Sequence, residues 1–567
     1  MDKWLTYSPV SGHGNATITL SASTLTGLED RIATLIATGS QEGQTLSATT
    51  VVTQKLTPSE KYLTFNISSA GTIVWKTTNS SVFRTIDYKL NNGNWVSITS
   101  NTGASAPTIT VNADDKIQFR GNNTAYGDGT SSYSTFSGST AEFEVEGNIM
   151  SLINKTDFVT ATTLENANTF AWLFRECTGL TSAENLVLPA TILSERCYSS
   201  MFAGCTSLTT APVLPATTLS EGCYNSMFYG CTNLTTAPAL PATTLVNYCY
   251  VNMFVGCTSL TTVPSLPATT LAEGCYEHMF DNCASLTAVP SNYLPVTALT
   301  FGCYNGMFYG CASLTTAPTL PATTLANYCY SKMFVGCTSL TTAPALPATT
   351  FAYGCYSDMF YGTNVLPDCS NIDFASSTVV ASGGLIGLFS GTKVTDNDLE
   401  RLLPKNDNGR YYLPATTLAD GCYQNMFSNC TSLTKAPELP ATTLANSCYS
   451  NMFCNCTSLT IAPAILPATT LADSCYDSMF SDCTSLTTAP ALPANTLASY
   501  CYWGMFDGCS SLSYIKCLAT DISAYRCEEY WVRGVAATGT FVKSPSMNDW
   551  TTGVSGIPSG WTVTNAS

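Results

Sequence analysis

The sequence predicts β-rich N-terminal sandwich modules followed by an α/β solenoid with a 26-residue repeat. The first observation is a Cys-Tyr dipeptide that recurs eleven times after residue 176, each time followed at a fixed distance by Met-Phe. The second is that the region before it consists of short β-branched and aromatic segments separated by turn residues. A unit of this size is too small to bury its own apolar face, so its copies must stack on one another.

The repeat is regular over most of the chain. Successive Cys-Tyr dipeptides lie mostly 26 residues apart, with single steps of 28 and 27 and one gap of 67, and they begin at Cys197, Cys223, Cys249, Cys275, Cys303, Cys329, Cys355, Cys422, Cys448, Cys475 and Cys501. This spacing predicts one continuous column of units.

Each unit predicts a short helix and a short strand. Leu219, Cys223, Met227 and Cys231 are spaced by four residues and predict an apolar stripe on a helix. The helix should end near the glycine that precedes Cys231. The segment 234–237, Leu-Thr-Thr-Ala, has the β-branched content of a strand, and the prolines that follow should end it.

This unit resembles the BspA-like leucine-rich repeats of surface proteins from gut Bacteroidetes and from phages that infect them. The matching features are Cys-x-Ser-Leu-Thr at 205–209, Leu-Pro before the turn, and Met-Phe-x-Gly-Cys, where the family usually has Ala-Phe. The resemblance covers about residues 164 to 535. It implies a leucine-rich-repeat-like solenoid that serves as an adhesive scaffold, a fold that supports many targets.

Residues 1–56 resemble the second half of a BACON domain, a carbohydrate-associated β-sandwich. The resemblance rests on the segments that begin at Trp4, Gly14, Ile32 and Ala48. Because the first strands of the family are absent, we expect this partial module to complete its sheet with another chain or to pack on the next domain. The alternative is a trimmed three-stranded sheet that only caps the protein.

Residues 57–147 predict a separate antiparallel sandwich. Seven segments have strand character, and turn sequences such as Asn-Asn-Gly at 91–93 separate them. Trp75, Trp95, Tyr126 and Tyr133 could stack on sugars, but aromatic side chains in a small sandwich are more often core.

The solenoid itself divides into five parts. We predict an N-terminal cap at 148–176, BspA-like repeats at 177–363, a degenerate repeat plus an insertion at 364–412, further repeats at 413–516 and a C-terminal cap at 517–567. Leu-Phe-Ser-Gly-Thr at 388–392 is the degenerate copy, so the stack should continue through the insertion.

All 26 cysteines lie at or after Cys177, and most occur in pairs eight residues apart. Two cysteines separated by two helical turns would be about 12 Å apart, beyond the limit of about 7 Å for a disulfide. We therefore favour reduced thiols in the core, with bridges between adjacent repeats as the alternative. No Cys-x-x-Cys is present, which disfavours zinc.

Composition and charge exclude several functions. A formal net charge of −16 disfavours nucleic acid as a partner, and no apolar run is long enough to insert into a membrane. His13 and His278 are the only histidines, so we predict no enzyme and no cofactor. The oxygen-rich segments 396–400 and 406–409 leave calcium as a weak alternative.

Binding information can lie only where the copies differ. The variable outer positions include six tyrosines, which we predict as ligand-binding candidates: Tyr229, Tyr309 and Tyr361 after Met-Phe, and Tyr248, Tyr328 and Tyr500 before Cys. They could form aromatic platforms for glycans or pack between repeats. The row of threonines from 209–210 to 487–488 suggests ice binding, but β-propensity also explains it.

The predicted function is adhesion or receptor binding without catalysis. The preferred interpretation is a tail or head fibre or decoration protein of a phage virion, which recognises a host-surface glycan or protein and attaches to a virion protein through the N-terminal β modules. The N-terminus shows no secretory signal, which favours that location. The alternative is a bacterial cell-surface adhesin whose leader was removed. A homo-oligomer would be compatible with a fibre, although no heptad or collagen-like segment supports one.

Overall fold

The computed structural model describes residues 5–8, 19–22, 31–41, 44–54, 57–79, 83–129, 132–366, 369, 372, 374 and 383–567. His13 and parts of the partial BACON-like module and of the insertion lie outside these residues. Among the described residues, no helix has the length and apolar character needed to span a bilayer.

The described part of residues 5–54 contains two antiparallel ladders. β1 pairs with β2, and β3 pairs with β4 in a long hairpin of eleven residue pairs; the bounds are β1 Leu5–Ser8, β2 Thr19–Ala22, β3 Arg31–Gln41 and β4 Gln44–Gln54. Ile36 and Val51, one on each strand of the hairpin, are each 61% exposed.

The described residues between 57 and 148 are rich in strands, and each of the seven predicted segments contains one. The bounds are β5 Leu63–Ile67, β6 Gly71–Val74, β7 Lys76–Thr77, β8 Thr85–Leu90, β9 Val96–Thr99, β10 Thr108–Val111, β11 Lys116–Gly121, β12 Ser134–Thr135 and β13 Phe143–Asn148. Trp75 and Tyr126 are fully buried, which assigns both to the core and not to a sugar platform. Short 3-10 helices lie at Pro58–Glu60, Gly103–Ser105, Ile149–Leu152 and Phe158–Thr160.

This module is joined to the solenoid by one sheet and one core. The six-stranded sheet has the order β14-β13-β5-β11-β8-β9, where β14 (Leu180–Val187) is the first strand of the solenoid. The backbone N–H of Ala183 on β14 then donates to Thr210 O of the following unit, at 3.0 Å. Phe136 stacks on Phe174, and Phe174 stacks on Phe202, with ring centroids 5.8 and 5.4 Å apart.

The predicted helix in each unit is wrong. Residues 221–230, and their equivalents in the other units, form consecutive turns. Backbone N–H groups alternate between two acceptors: Met227 N–H donates to Tyr224 O in its own unit, whereas Tyr224 N–H donates to Cys249 O of the next unit, both at 3.1 Å. Every fourth residue has a positive φ, as at Gly222 (58°), Ser226 (55°) and Gly230 (69°).

The predicted apolar stripe is nevertheless buried. Leu219, Cys223, Met227 and Cys231 all lie in the core. An α-helix turns about 100° per residue, so residues spaced by four drift by about 40° per step, and over twelve residues they leave one face. A four-residue turn keeps this spacing in register, and the unit adopts it because the next unit satisfies the backbone donors that a helix would satisfy internally.

The predicted strand of each unit is reduced to single parallel bridges such as Thr236↔Thr262 and Thr316↔Thr342. Prolines nearby lack the N–H that a longer ladder would need. The threonine hydroxyls reinforce the bridges: Thr209 Oγ1 donates to Thr181 O at 2.9 Å, and Thr341 Oγ1 donates to Thr315 O at 3.0 Å. The row of threonines therefore holds adjacent units together.

The insertion carries the only α-helix of the described residues, α1 (Asp396–Leu402). Residues 383–392 form a unit that bonds to both neighbours, since Gly354 N–H donates to Gly383 O and Gly391 N–H donates to Ser428 O. Beyond the last unit, the parallel strands β15 (Tyr514–Cys517), β16 (Thr540–Lys543) and β17 (Thr562–Asn565) extend the stack.

All 26 cysteines lie in the described residues as free thiols, and only Cys454 is partly exposed. The second thiol of a unit bonds to the unit before it: Cys231 Sγ donates to Phe202 O at 3.1 Å, and Cys257 Sγ donates to Phe228 O at 3.2 Å. Burial raises the pKa of Cys257 to about 12. Thr363, which replaces this cysteine in one unit, keeps a bond by donating to Phe360 O at 2.8 Å.

These thiols give a quantitative prediction. A thiol reagent at neutral pH should titrate one cysteine per native chain, Cys454, because the other 25 are buried and protonated. After denaturation without reductant it should titrate all 26. Cys454→Ala should abolish the native reaction, and a denatured count well below 26 would show that disulfides bridge the repeats.

Candidate functional site

The outer surface of the consecutive turns is the candidate site, and we call it the turn face. In the unit that begins at Cys223 it comprises residues 221, 222, 225, 226, 229 and 230. Between these positions the pairs Cys223-Tyr224 and Met227-Phe228 point into the core. The four-residue turn thus places two inward and two outward residues in each step, and it aligns equivalent outward residues in columns along the stack.

All six predicted tyrosines lie on the turn face, in two columns. Tyr229, Tyr309 and Tyr361 occupy the column equivalent to 229; Tyr229 is 50% exposed, Tyr361 is 40% exposed and Tyr309 is half-buried. Tyr248, Tyr328 and Tyr500, all half-buried, occupy the column equivalent to 222. The structure brings them onto one surface, and their role in binding stays a prediction.

Two tyrosines of the second column, Tyr248 and Tyr328, lie close to a glycine of the next unit. A Cβ added to Gly274 would approach the Tyr248 ring to 2.5 Å, and one added to Gly354 would approach the Tyr328 ring to 2.6 Å. Tyr248 also donates its hydroxyl to Glu273 Oε1 at 2.5 Å, and this hydrogen bond is the main cause that raises the pKa of Tyr248 to about 12. Tyr248 and Tyr328 therefore contact the next repeat and stay partly exposed.

Their backbone conformation is unfavourable for tyrosine. Tyr248, Tyr328 and Tyr500 have φ values of 56°, 55° and 55°, whereas glycine fills the equivalent position at 222, 274, 302, 354 and 421. A side chain in the left-handed region loses roughly 1–2 kcal/mol relative to the right-handed one. The turn imposes this conformation in every unit, and because the rings are only half-buried, the core does not require tyrosine at this position.

The tyrosines recur as a pair. Tyr229 in one unit and Tyr248 in the next are repeated, three units further on, as Tyr309 and Tyr328. The segments around the two pairs are nearly identical, since 222–229 is Gly-Cys-Tyr-Asn-Ser-Met-Phe-Tyr and 302–309 differs from it by one residue. The turn face thus carries two equivalent arrangements, three units apart. The spacing between units is about 5.9 Å, as measured between the centroids of successive stacked rings of Tyr250, Tyr276, Tyr304 and Tyr330.

An aromatic cluster that the repeat pattern did not predict lies at the C-terminal end of the turn face. Tyr525 is 61% exposed and Tyr530 is 39% exposed. Arg526 lies 5.3 Å above the Tyr525 ring, and Arg533 lies 5.0 Å above the Tyr530 ring. The unit that carries these residues does not match the repeat pattern, because it has Trp-Val at 531–532 in place of Met-Phe. The signal that could have found it is Cys527, 26 residues after the last Cys-Tyr.

Groups suited to catalysis or metal binding are otherwise engaged. His278 Nδ1 lies 2.9 Å from Asp281 Oδ2 on the turn face. Asp396 accepts the backbone N–H groups of Thr434 and Lys435 at 3.1 and 3.0 Å, and Asp398 caps α1 through Thr395. In the part of the chain that the structure describes, no group of three or more His, Cys, Asp or Glu residues could hold a metal ion.

The left-handed tyrosines can be tested by stability. We expect Tyr328→Asn to leave the midpoint of urea unfolding unchanged or to raise it slightly, because asparagine tolerates the left-handed region and fills such positions at 252 and 282. Tyr330→Asn is the matched change two residues away, in the fully buried column. It should lower the stability by about 3 kcal/mol or more. Equal losses would contradict the view that the outer ring is dispensable for folding.

Comparisons with protein-family models agree with this organisation. Residues 2–55 match the BACON model, described as a putative binding domain, N-terminal, and residues 156–287 and 420–526 match the BspA type leucine rich repeat region in six copies. No curated protein matches the chain. Both domain types are typical of surface and binding proteins and are typically non-catalytic. The chain therefore carries an N-terminal BACON region followed by BspA-type leucine-rich repeats, which confirms both resemblances.

Proposed function

We propose that the chain is a non-enzymatic recognition protein of a phage virion, a fibre or decoration protein, and that its turn face binds a host-surface glycan or protein. The observation that carries the recognition part is the placement of half-exposed tyrosines at a left-handed turn position where other units have glycine. The family matches support a surface and binding role in general.

The doubled tyrosine pair favours an extended ligand with its own repeat. Two equivalent arrangements, Tyr229 with Tyr248 and Tyr309 with Tyr328, lie on one rigid face three units apart. A polymer that engages one arrangement is held at high effective concentration near the other, so affinity rises without new kinds of contact. Tyrosine rings offer sugar faces an apolar surface and a hydroxyl, and this combination suits a surface polysaccharide.

Thiol chemistry supports the virion over other surfaces. The chain has 26 free thiols, and 25 of them must reach the core unbridged. A cytosol keeps thiols reduced during folding, whereas an oxidising compartment promotes disulfides before the core closes. A virion protein folds in the host cytosol before release. The N-terminal β modules would attach it to another virion protein, and the exposed Ile36 and Val51 of the β3–β4 hairpin offer an apolar contact for this.

The alternative is a bacterial cell-surface adhesin. The same family matches support it, because BACON and BspA-type repeats suggest a surface protein in either setting. Assembly into a homo-oligomer stays a prediction in both cases.

Binding to host cells and to their purified surface polysaccharide tests the recognition surface. The variant Tyr229→Ala, Tyr248→Asn, Tyr309→Ala, Tyr328→Asn should lose at least about tenfold in affinity, because aromatic anchors contribute much of such binding energy. Tyr514→Thr is the control, since Tyr514 is 37% exposed but bridges Thr488 in the row of threonines. Equal binding by wild type and the fourfold variant would refute the proposed surface.

Immunogold electron microscopy with antibodies against the chain tests the location. We expect gold particles on purified phage particles and none on intact bacteria that carry no phage. Labelling of uninfected bacteria, with unlabelled particles, would establish the adhesin instead.

A further inference from the structure

A second candidate site lies in the β-rich module, away from the turn face. An open cavity of about 470 Å³ lies between four segments: the end of β6, β7, the Gly103–Ser105 turn and the segment Ser137–Gly138. This volume is in the range of small-molecule sites. Small side chains of alanine, threonine and serine line most of its wall.

One cation lines this cavity. Lys76, on β7, is half-buried, and no carboxylate of the described residues forms an ion pair with it. Its Nζ also makes no hydrogen bond with a described residue. A half-buried ammonium group without a counter-charge favours an anionic ligand, because burial has removed part of its hydration.

A buried hydroxyl points to the same ligand. Ser137 is only 3% exposed, and its backbone N–H donates to Thr135 Oγ1 at 3.2 Å. Its own hydroxyl has no hydrogen-bond partner among the described residues, although it lines the cavity. The hydroxyl oxygen is open to the cavity, where a ligand or water can supply its hydrogen bond.

Gly138 lies beside the cation. It has a φ of 85°, and a Cβ built on it would lie 3.5 Å from Lys76 Nζ. The backbone of Gly138 therefore borders the ammonium group. Gly138 N–H donates to no other group of the described residues, so ammonium, hydroxyl and backbone donors lie together at one end of the cavity.

We propose that this cavity binds an acidic saccharide residue, with its carboxylate at Lys76, Ser137 and Gly138. A carboxylate accepts several donors at once, and hydrogen bonds to a charged partner are stronger than neutral ones. The remaining wall, with the hydroxyl of Thr108 and the small apolar surfaces of Ala104 and Ala106, suits the hydroxyl groups and ring of a sugar. With a net charge of −16 on the chain, this local arrangement of donors, and not the overall field, must attract the anion.

Isothermal titration calorimetry with the full chain tests the site, using glucuronate and galacturonate against glucose, galactose and acetate. We expect the uronates to bind at least tenfold more tightly than the neutral sugars and than acetate. Lys76→Gln should weaken uronate binding at least tenfold, since a hydrogen bond to a charged group contributes about 1.5–3 kcal/mol. Lys116→Gln removes an equal charge from exposed Lys116 on β11, outside the cavity, and should have no effect.

Ser137→Ala separates binding from folding. It removes a hydroxyl that has no partner in the free protein, so the unfolding midpoint should stay unchanged or rise while uronate affinity falls. Equal affinity for glucuronate and glucose, equal affinity for acetate and uronate, or unchanged uronate binding by Lys76→Gln would each overturn the proposal. None of these outcomes depends on the tyrosines of the turn face.

Discussion

Backbone hydrogen bonds between successive units are the interaction on which the rest of the structure depends. In each turn, half of the N–H groups point along the stack and donate to carbonyl groups of the next unit, as Tyr224, Ser226 and Phe228 do. Along the row of threonines the backbone N–H groups donate in the opposite direction, to the preceding unit, as Thr209 N–H donates to Thr181 O. A single unit would leave these groups unpaired in a dry interior, so the fold is stable only as a column.

Side-chain columns follow from this backbone register. Because each unit repeats its predecessor, identical residues stack: the Tyr224 and Tyr250 rings are 5.8 Å apart, and the Phe228 and Phe254 rings are 5.6 Å apart and nearly parallel. The β-rich module supplies the first rings of these columns through Phe136 and Tyr126, and Trp531 with the stacked Trp550 ends the tyrosine column. Each end of the stack is therefore closed by the same kind of contact that holds its middle.

The sequence predicted which residues are buried better than it predicted how the backbone buries them. The four-residue spacing of Leu219 to Cys231 identified the core stripe, but it was interpreted as a helix because helical residues four apart also share a face. Two features pointed to turns instead: the spacing of the buried residues never shifts to three, and Gly, Ser or Asn fills many of the outward positions that recur every four residues. The orientation of Tyr248 was beyond prediction, since it depends on the absence of a side chain at Gly274 in the next unit. The Lys76 cavity was equally hidden, because its walls come from segments some sixty residues apart in the chain.

The interior of free thiols has a consequence for durability. Once the protein has left a reducing compartment, any unfolding exposes 25 cysteines that oxidise and pair at random, so the chain cannot return to its native column. Its working lifetime is then set by the height of the barrier to unfolding and not by the balance between folded and unfolded states. A long column of interlocked units, which must break many backbone bonds together before any thiol meets solvent, is well suited to keep that barrier high.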